Sequence, residues 1–527
     1  MWVWILGAIL LALVLITIYD LTQKKHAILR NYPLIGHLRY ILESFGPELR
    51  QYIVTGNSEE RPFSRDQRRW VYSSAKEQNN YFGFGTDNDL EIAPNTLVIK
   101  PAIFPYPEPQ KGDDDYDPLH PVACSKILGE ARGRRHAFRP ESVFFISAMS
   151  FGSLSAAAVE AMNRGVAIAG GLHNTGEGGI APHHDHGGDL IWQLGTGYFG
   201  ARDEDGHFSM DELLERVNAY PVRAIEIKLS QGAKPGRGGV LPAEKISAEI
   251  AAIRGIPMGK DCISPSGHSA FHDVDSMLDF VESIADATGL PVGIKSAIGE
   301  SAFWEELAAE MAKGDRGVDF INIDGGEGGT GAAPLVFTDH VALPFKLGFS
   351  RVYHIFARYD LTDDIVFMGA GRLGFPESSL LAFAMGADMV GVAREAMLAI
   401  GCIQAQRCHT GHCPAGVATQ NKWLMRGLDP TSKAARLANY LVTLRKEVMW
   451  LTRAVGVAHP AEVHLEHFEI LDECFGSRSP RQIFGYPEKH IEIPSWRQPG
   501  VPAHMTRKDH KERLDAERSE PVAEPAE

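Results

Sequence analysis

From Phe144 onward, short apolar runs alternate with longer amphipathic stretches. The apolar runs lie in "SVFFISAMSFGS", "RAIEIKLSQGAKPG", "LPVGIKSAIG", "VDFINIDGGEGGTG", "DIVFMGAGRLG" and "ADMVGVA", and they end in glycine, serine or a polar residue. Runs of this length, rich in β-branched and aromatic residues, predict the buried strands of a parallel sheet. Between them, "MDELLERVNAY", "AEKISAEIAAIR", "DSMLDFVESIADATG" and "PESSLLAFAMG" carry apolar residues at helical spacing. Repeated strand–helix units predict an α/β fold, and the polar residues at the strand ends favour a (β/α)8 barrel whose site lies at its C-terminal mouth. No G-x-G-x-x-G opens a helix with an acidic residue at the right later distance, so a Rossmann domain is not supported.

The ends of the chain follow other patterns. "WVWILGAILLALVLITIY", from Trp2 to Tyr19, holds no charge and is about long enough to cross the hydrocarbon core of a bilayer. Lys24, Lys25, Arg30 and Arg39 follow it and no basic residue precedes it, which predicts a single pass through the inner (cytoplasmic) membrane with the large domain in the cytoplasm. A cleaved signal peptide fits less well, because the positive n-region and the small-residue cleavage site are missing. Toward the other end, "TSKAARLANYLVTLRKEVMWLTRAVG" predicts a long helix packed on the barrel. These patterns divide the chain into a transmembrane anchor (1–20), a helical and loop extension (21–110), the barrel (111–430), a C-terminal helical extension (431–494) and a disordered tail rich in Pro, Lys, Arg and Glu (495–527).

Composition narrows the functional classes. A hydrophobic content of 44% with 53 glycines among 527 residues is that of a globular α/β chain. The net charge of −15 argues against nucleic acid as a partner, since a basic face is needed to displace phosphate counterions. Six cysteines are too few for a disulfide scaffold, yet Cys402, Cys408 and Cys413 fall together in "GCIQAQRCHTGHCPAG". C-x5-C-x4-C suits zinc poorly, although His409 or His412 can supply a fourth ligand. Three thiolates followed by Pro414 suit an iron–sulfur cubane lacking one iron, and inert thiols are the third reading. Cys124, Cys262 and Cys474 stand alone and are expected as small buried fillers.

"GCIQAQRCHTGHCPAGVATQ" resembles the cluster segment of glutamate synthase. "SAMSFGSLSAAAVEAMN", "GGLHNTGEGG", "IEIKLSQGAKPGRGG", "ISPSGHS" and "DGGEGGTGAAP" resemble further segments of that family in the family's order, from about Phe144 to Gln420. The resemblance implies an FMN-binding barrel with a 3Fe-4S cluster on Cys402, Cys408 and Cys413. Ala148, Met149 and Ser150 match the stretch against the flavin. Gly369, Gly371 and Arg372, with Gly391, Val392, Ala393 and Arg394, fall in the late loops where barrels hold phosphate, although tight βα turns explain the same glycines.

The implied reaction is reductive amination of 2-oxoglutarate by ammonia to L-glutamate, with hydride from reduced FMN and electrons arriving through the cluster. Lys295 and Lys234 match family lysines suited to the substrate carboxylates, and Gln231 and Ser230 offer neutral hydrogen bonds. Glu177, in "NTGEGG", matches the glutamate where ammonia arrives, and a turn carboxylate capped by neighbouring N–H groups is its bland alternative. Lys228 reads as a solvated strand residue outside the site, and His183 to His186 ("HHDH") as a polar loop at the barrel mouth in preference to a further metal site.

The chain also departs from the family pattern. It begins Met1-Trp2-Val3 with no cysteine before Cys124, so no built-in glutaminase is expected, and a separate glutaminase subunit becomes a possible partner. "GIKSAIGES" stands for "VKLVSEAGVG" and "DGGEGG" for "SGHDGG", both near the expected carboxylates. An enzyme using another amine, like the large subunit of N-methylglutamate synthase, and a non-catalytic electron-transfer subunit are the rival readings. No nicotinamide fingerprint is visible, which implies a separate electron donor such as ferredoxin or a flavoprotein subunit.

Overall fold

Eight parallel strands close on themselves in chain order: β1 (Phe144–Ile146), β2 (Leu172–Asn174), β3 (Asp189–Leu194), β4 (Val222–Lys228), β5 (Val292–Ser296), β6 (Phe320–Asp324), β7 (Val366–Ala370) and β8 (Met389–Val392). The closing pair is β8 with β1, where Val390 faces Phe144 and Val392 faces Ile146. The expected (β/α)8 barrel is therefore the observed one. The computed structural model describes residues 1–23, 27–90, 93–113 and 116–486. Lys24, Lys25 and the tail 495–527 lie outside the described residues.

Period-two alternation decides which side chains enter the barrel. At its floor Phe145, Leu172, Ile191, Phe320 and Met368 pack on one another and on Cys124, Leu128 and Phe138 from the segment that precedes β1. One layer higher the filling turns polar. Glu226 is fully buried and accepts hydrogen bonds from Asn174 Nδ2 (2.8 Å), Gln193 Nε2 (2.6 Å) and Asn322 Nδ2 (2.7 Å). Above that layer Lys228 and Lys295 face each other in register on β4 and β5, at the mouth.

The outer helices are set by their caps. Ser155 accepts from Ala158 N to start helix Ala156–Ala169, and Asp273 accepts from Ser276 N to start Val274–Thr288, which Gly289 ends in the left-handed region at φ 73°. Asp429 caps the helix Pro430–Ala454, whose first position takes proline because no intrahelical N–H is needed there. That helix crosses Ala156–Ala169 so closely that a Cβ at Gly165 would lie 2.8 Å from Leu437 Cβ. The flanking segments are not helical throughout. Leu97–Ile99 pairs antiparallel with Phe468–Leu471, joining sequence from before and after the barrel.

Residues 1–69 form a unit of their own, distinct from the described residues that begin at Trp70. It contains the helix Trp2–Thr22, long and apolar enough to cross a membrane by length and composition, and a second helix, Ile35–Leu49. Asp20 joins them: it is fully buried, accepts from Leu34 N at 3.1 Å and meets His37 Nε2 at 3.0 Å.

Candidate active site

Side chains from the ends of β2, β4, β5 and β6 converge at the barrel mouth. Lys228 donates to Glu177 Oε1 (2.6 Å) and to Gln231 Oε1 (2.8 Å). Lys295 lies 3.7 Å from Asp324 Oδ2, which itself accepts from Gly232 N at 2.9 Å. Lys234 is 4% exposed, and its ammonium makes no hydrogen bond or ion pair among the described residues. Lys228, expected to be solvated, is 8% exposed and belongs to this cluster. Alternation explains it, because Ala224, Glu226 and Lys228 share the inward side of β4.

Electrostatics divides these groups. Burial pushes the Glu177 carboxyl up, but the Lys228 ammonium, with Lys234 and Arg254 beyond it, outweighs this and holds it below the ordinary range. Burial and the neighbouring Lys228 charge pull the Lys234 ammonium down, against the attraction of Glu177. Glu177 Oε2 makes no hydrogen bond among the described residues. Gly195 and Gly239 let the backbone close on the carboxylate, since a Cβ at either would lie 2.6 or 2.5 Å from one of its oxygens. This arrangement holds an anion fixed on one oxygen by Lys228, beside a buried cation that makes no ion pair among the described residues.

The strand ends β1, β7 and β8 surround a second set. Ala148, Met149 and Ser150 are half-buried after β1, and Ser150 Oγ meets Arg254 Nη2 at 3.3 Å. Gly371 has φ 135° and Arg372 φ 57°, so the chain turns sharply out of β7 through conformations that favour glycine. Arg372 and Arg394 are half-buried cations at neighbouring strand ends, and Arg394 lies on the Gly325–Gly329 loop, where a Cβ at Gly329 would meet its Cδ at 2.6 Å. Val392 ends β8 and Ala393 precedes Arg394. Two arginines beside glycine-lined backbone fit the phosphate of a flavin nucleotide. The spaces at Gly369 and Gly391 are instead filled by the rings of Phe345 and Phe145, so packing accounts for those two glycines.

Glu327, on the same loop, accepts from Phe345 N at 2.8 Å, and burial pushes its carboxyl up. Sequence reasoning named neither Glu327 nor Asp324 as a site residue, nor did it name Arg254. The segment "DGGEGG" held a signal for Asp324, because it sets an acidic residue where the family pattern has Ser.

The cysteine segment is partly gathered. Cys408 and Cys413 lie near each other and near Lys245, whose ammonium is buried and donates to Cys408 O (2.7 Å) and Ala418 O (3.2 Å). Cys402 accepts from Gln404 N at 3.4 Å. Among the described residues no three His, Cys, Asp or Glu side chains converge closely enough to hold a metal ion.

Two other expectations need correction. Cys474 is exposed, whereas Cys124 and Cys262 are buried, with the Cys124 thiol pushed up to about 12 by burial. Within the "HHDH" run only His184 departs from a polar loop, Asp185 being exposed and His183 and His186 half-buried. His184 is fully buried against His173, its ring brought down to about 3 by burial, and His183 pairs with Glu249 at 2.9 Å.

Residues 120–458 match a family profile described as the conserved region in glutamate synthase. YerD of Bacillus subtilis strain 168, a glutamate synthase large subunit-like protein, is 38% identical over 497 residues, covering 88% of this chain and 94% of that one. The archaeal glutamate synthase (NADPH) of Methanocaldococcus jannaschii is 35% identical over 361 residues, 67% of this chain and 64% of that relative, so the chain spans under two thirds of its length. Among solved structures, a flavocytochrome b2 double variant with sulfite bound aligns over 82% of this chain and 87% of that one, at a TM-score of 0.42 and 14% identity. The barrel itself is fixed by its own strand register.

Proposed function

Because the chain belongs to the glutamate synthase family, we propose that it is a flavin-dependent oxidoreductase that joins an amine to a 2-oxoacid, with 2-oxoglutarate and ammonia as the leading pair. The observation that carries the reading is the mouth cluster. Five cations, Lys228, Lys234, Lys295, Arg372 and Arg394, stand at the strand ends against three carboxylates, Glu177, Asp324 and Glu327, one of which burial pushes toward its neutral form. Positive charge in excess among these strand-end groups, in a chain of net charge −15, suits anionic ligands, here an oxoacid and a phosphate.

In this reading Lys234 and Lys295 bind and orient the oxoacid carboxylates. Glu177, kept ionised at neutral pH, draws in ammonium through the oxygen that makes no hydrogen bond while Lys228 fixes the other. Water leaves as the amine condenses with the ketone, and the Glu177 carboxylate, held by Lys228, provides a place for the proton. FMN, held by Arg372, Arg394 and the backbone around Gly371, would supply the hydride that reduces the imine. We also assign a 3Fe-4S cluster to Cys402, Cys408 and Cys413, fed by a separate donor such as ferredoxin or a flavoprotein subunit. Helix Trp2–Thr22 we read as a single-pass anchor in the inner (cytoplasmic) membrane, with the barrel in the cytoplasm.

A second amine remains a specific rival, because Asp324 partly neutralises Lys295 where the family pattern has serine. Anaerobic turnover with a reduced dye, 2-oxoglutarate and either ammonium or methylamine separates the cases. Glutamate from ammonium supports the first reading, N-methylglutamate from methylamine supports the rival, and no product with either defeats both.

A further inference from the structure

Helix Ile35–Leu49 gathers Ile35, Leu38, Leu42, Phe45 and Leu49 into about 80° of arc at 3.6 residues per turn. All five are exposed, from 42% at Leu49 to 75% at Ile35. Another side of the helix carries Arg39 and Glu43, paired at 2.6 Å. An exposed stripe of five large apolar side chains implies a surface that covers it.

The Asp20 clamp says which surface. Asp20 sits in the last turn of Trp2–Thr22, and its carboxylate holds Leu34 N and His37, so the second helix begins at the end of the first. The end of a membrane-spanning helix lies at the headgroup boundary. Arg30, Arg39 and Arg50 occur along the same segment, as suits anionic headgroups. We infer that Ile35–Leu49 is an interfacial helix that lies along the bilayer surface, its 35/38/42/45/49 stripe among the upper acyl chains. The inference rests on the anchor reading proposed above.

Photo-crosslinking in native membranes tests it on the full chain. p-Benzoylphenylalanine replaces Phe45 or, about 160° round the helix, Glu43. Lipid adducts at position 45 with little or none at position 43 are expected by mass spectrometry. Equal labelling at both positions overturns the inference, as do adducts at position 45 to protein alone, whether a second copy or the barrel. Alkaline carbonate washing separates the two claims. Release of the unmodified chain overturns the anchor and the interfacial helix together, whereas a chain retained in the membrane without lipid adducts at position 45 overturns the helix alone.

Discussion

The Lys228–Glu177 pair is the part of the mouth cluster whose worth can be worked out from its geometry. At 2.6 Å the attraction is roughly 6 kcal/mol for an effective dielectric of about 20. Desolvation offsets part of this, since the two side chains are only 9% and 16% exposed. Lys228→Met removes the cation but leaves a carboxylate in the same place, a change that costs about 3–5 kcal/mol for a buried pair. Lys228→Met/Glu177→Gln removes both charges, and its cost should fall to about 1–2 kcal/mol because no buried charge is stranded. With an unfolding entropy of about 2.1 cal/mol/K per residue over roughly 390 residues, each kcal/mol lowers Tm by about 1.2 °C. The single variant should therefore unfold about 4–6 °C below wild type and the double variant about 1–2 °C below it. Thermal unfolding of the detergent-solubilised chain, followed by circular dichroism, reads both. A double variant at least as destabilised as Lys228→Met would show that the groups are not coupled and would refute the reasoning.

The other predictions concern the charge, the floor of the site and the cysteines. Glu177 titrates below its ordinary 4.5, so its stabilising contribution is present above that pH and is lost as pH falls through the lower folded value. Below pH 4.5 wild type should lose stability more steeply than Glu177→Gln, and parallel Tm–pH curves would contradict this. Glu226→Leu strands three buried amide donors at about 1–3 kcal/mol each, enough to consume most of a typical domain's stability, whereas Glu226→Gln should cost about 1–3 kcal/mol. Folded yield and Tm decide, and a Leu variant as stable as wild type would count against the polar layer. Gly232→Ala would place a Cβ 1.9 Å from Gly325 O, so it should part the β4 and β6 loops and raise KM for the oxoacid, while a wild-type KM would argue otherwise. Cys408→Ser should lower bound iron and acid-labile sulfide while flavin stays bound, and unchanged iron content would remove Cys408 from the ligand set.

How much was legible beforehand depended on the length and regularity of each segment. Strands β4 to β8 and β1 stand out as apolar runs between helical patterns. Leu172–Asn174 does not, because three residues flanked by glycines read as part of a loop and only pairing with β1 and β3 makes them a strand. Asp189–Leu194 was hidden by its neighbours "HHDHGG", whose histidines look solvent-loving until His184 is seen packed on His173. Glu177, Lys234 and Lys295 could be singled out one at a time from their motifs. The partner that ties Glu177 down could not, since the link between residues 177 and 228 exists only once β2 and β4 curve into one barrel. For Gly369 and Gly391 the same glycine serves a phosphate cradle or a neighbouring ring equally well in sequence, and the rings of Phe345 and Phe145 are contacts made only on folding.

The central claim is that a flavin at this barrel mouth reduces the product of an oxoacid and an amine held by Glu177 and the lysines. The most direct measurement follows visible flavin absorbance after the anaerobically reduced protein is mixed with 2-oxoglutarate and ammonium. The account predicts rapid recovery of the oxidised spectrum only when both reactants are present, and its loss in Lys234→Met. Recovery that ignores the reactants, or purified protein without bound flavin, would contradict it.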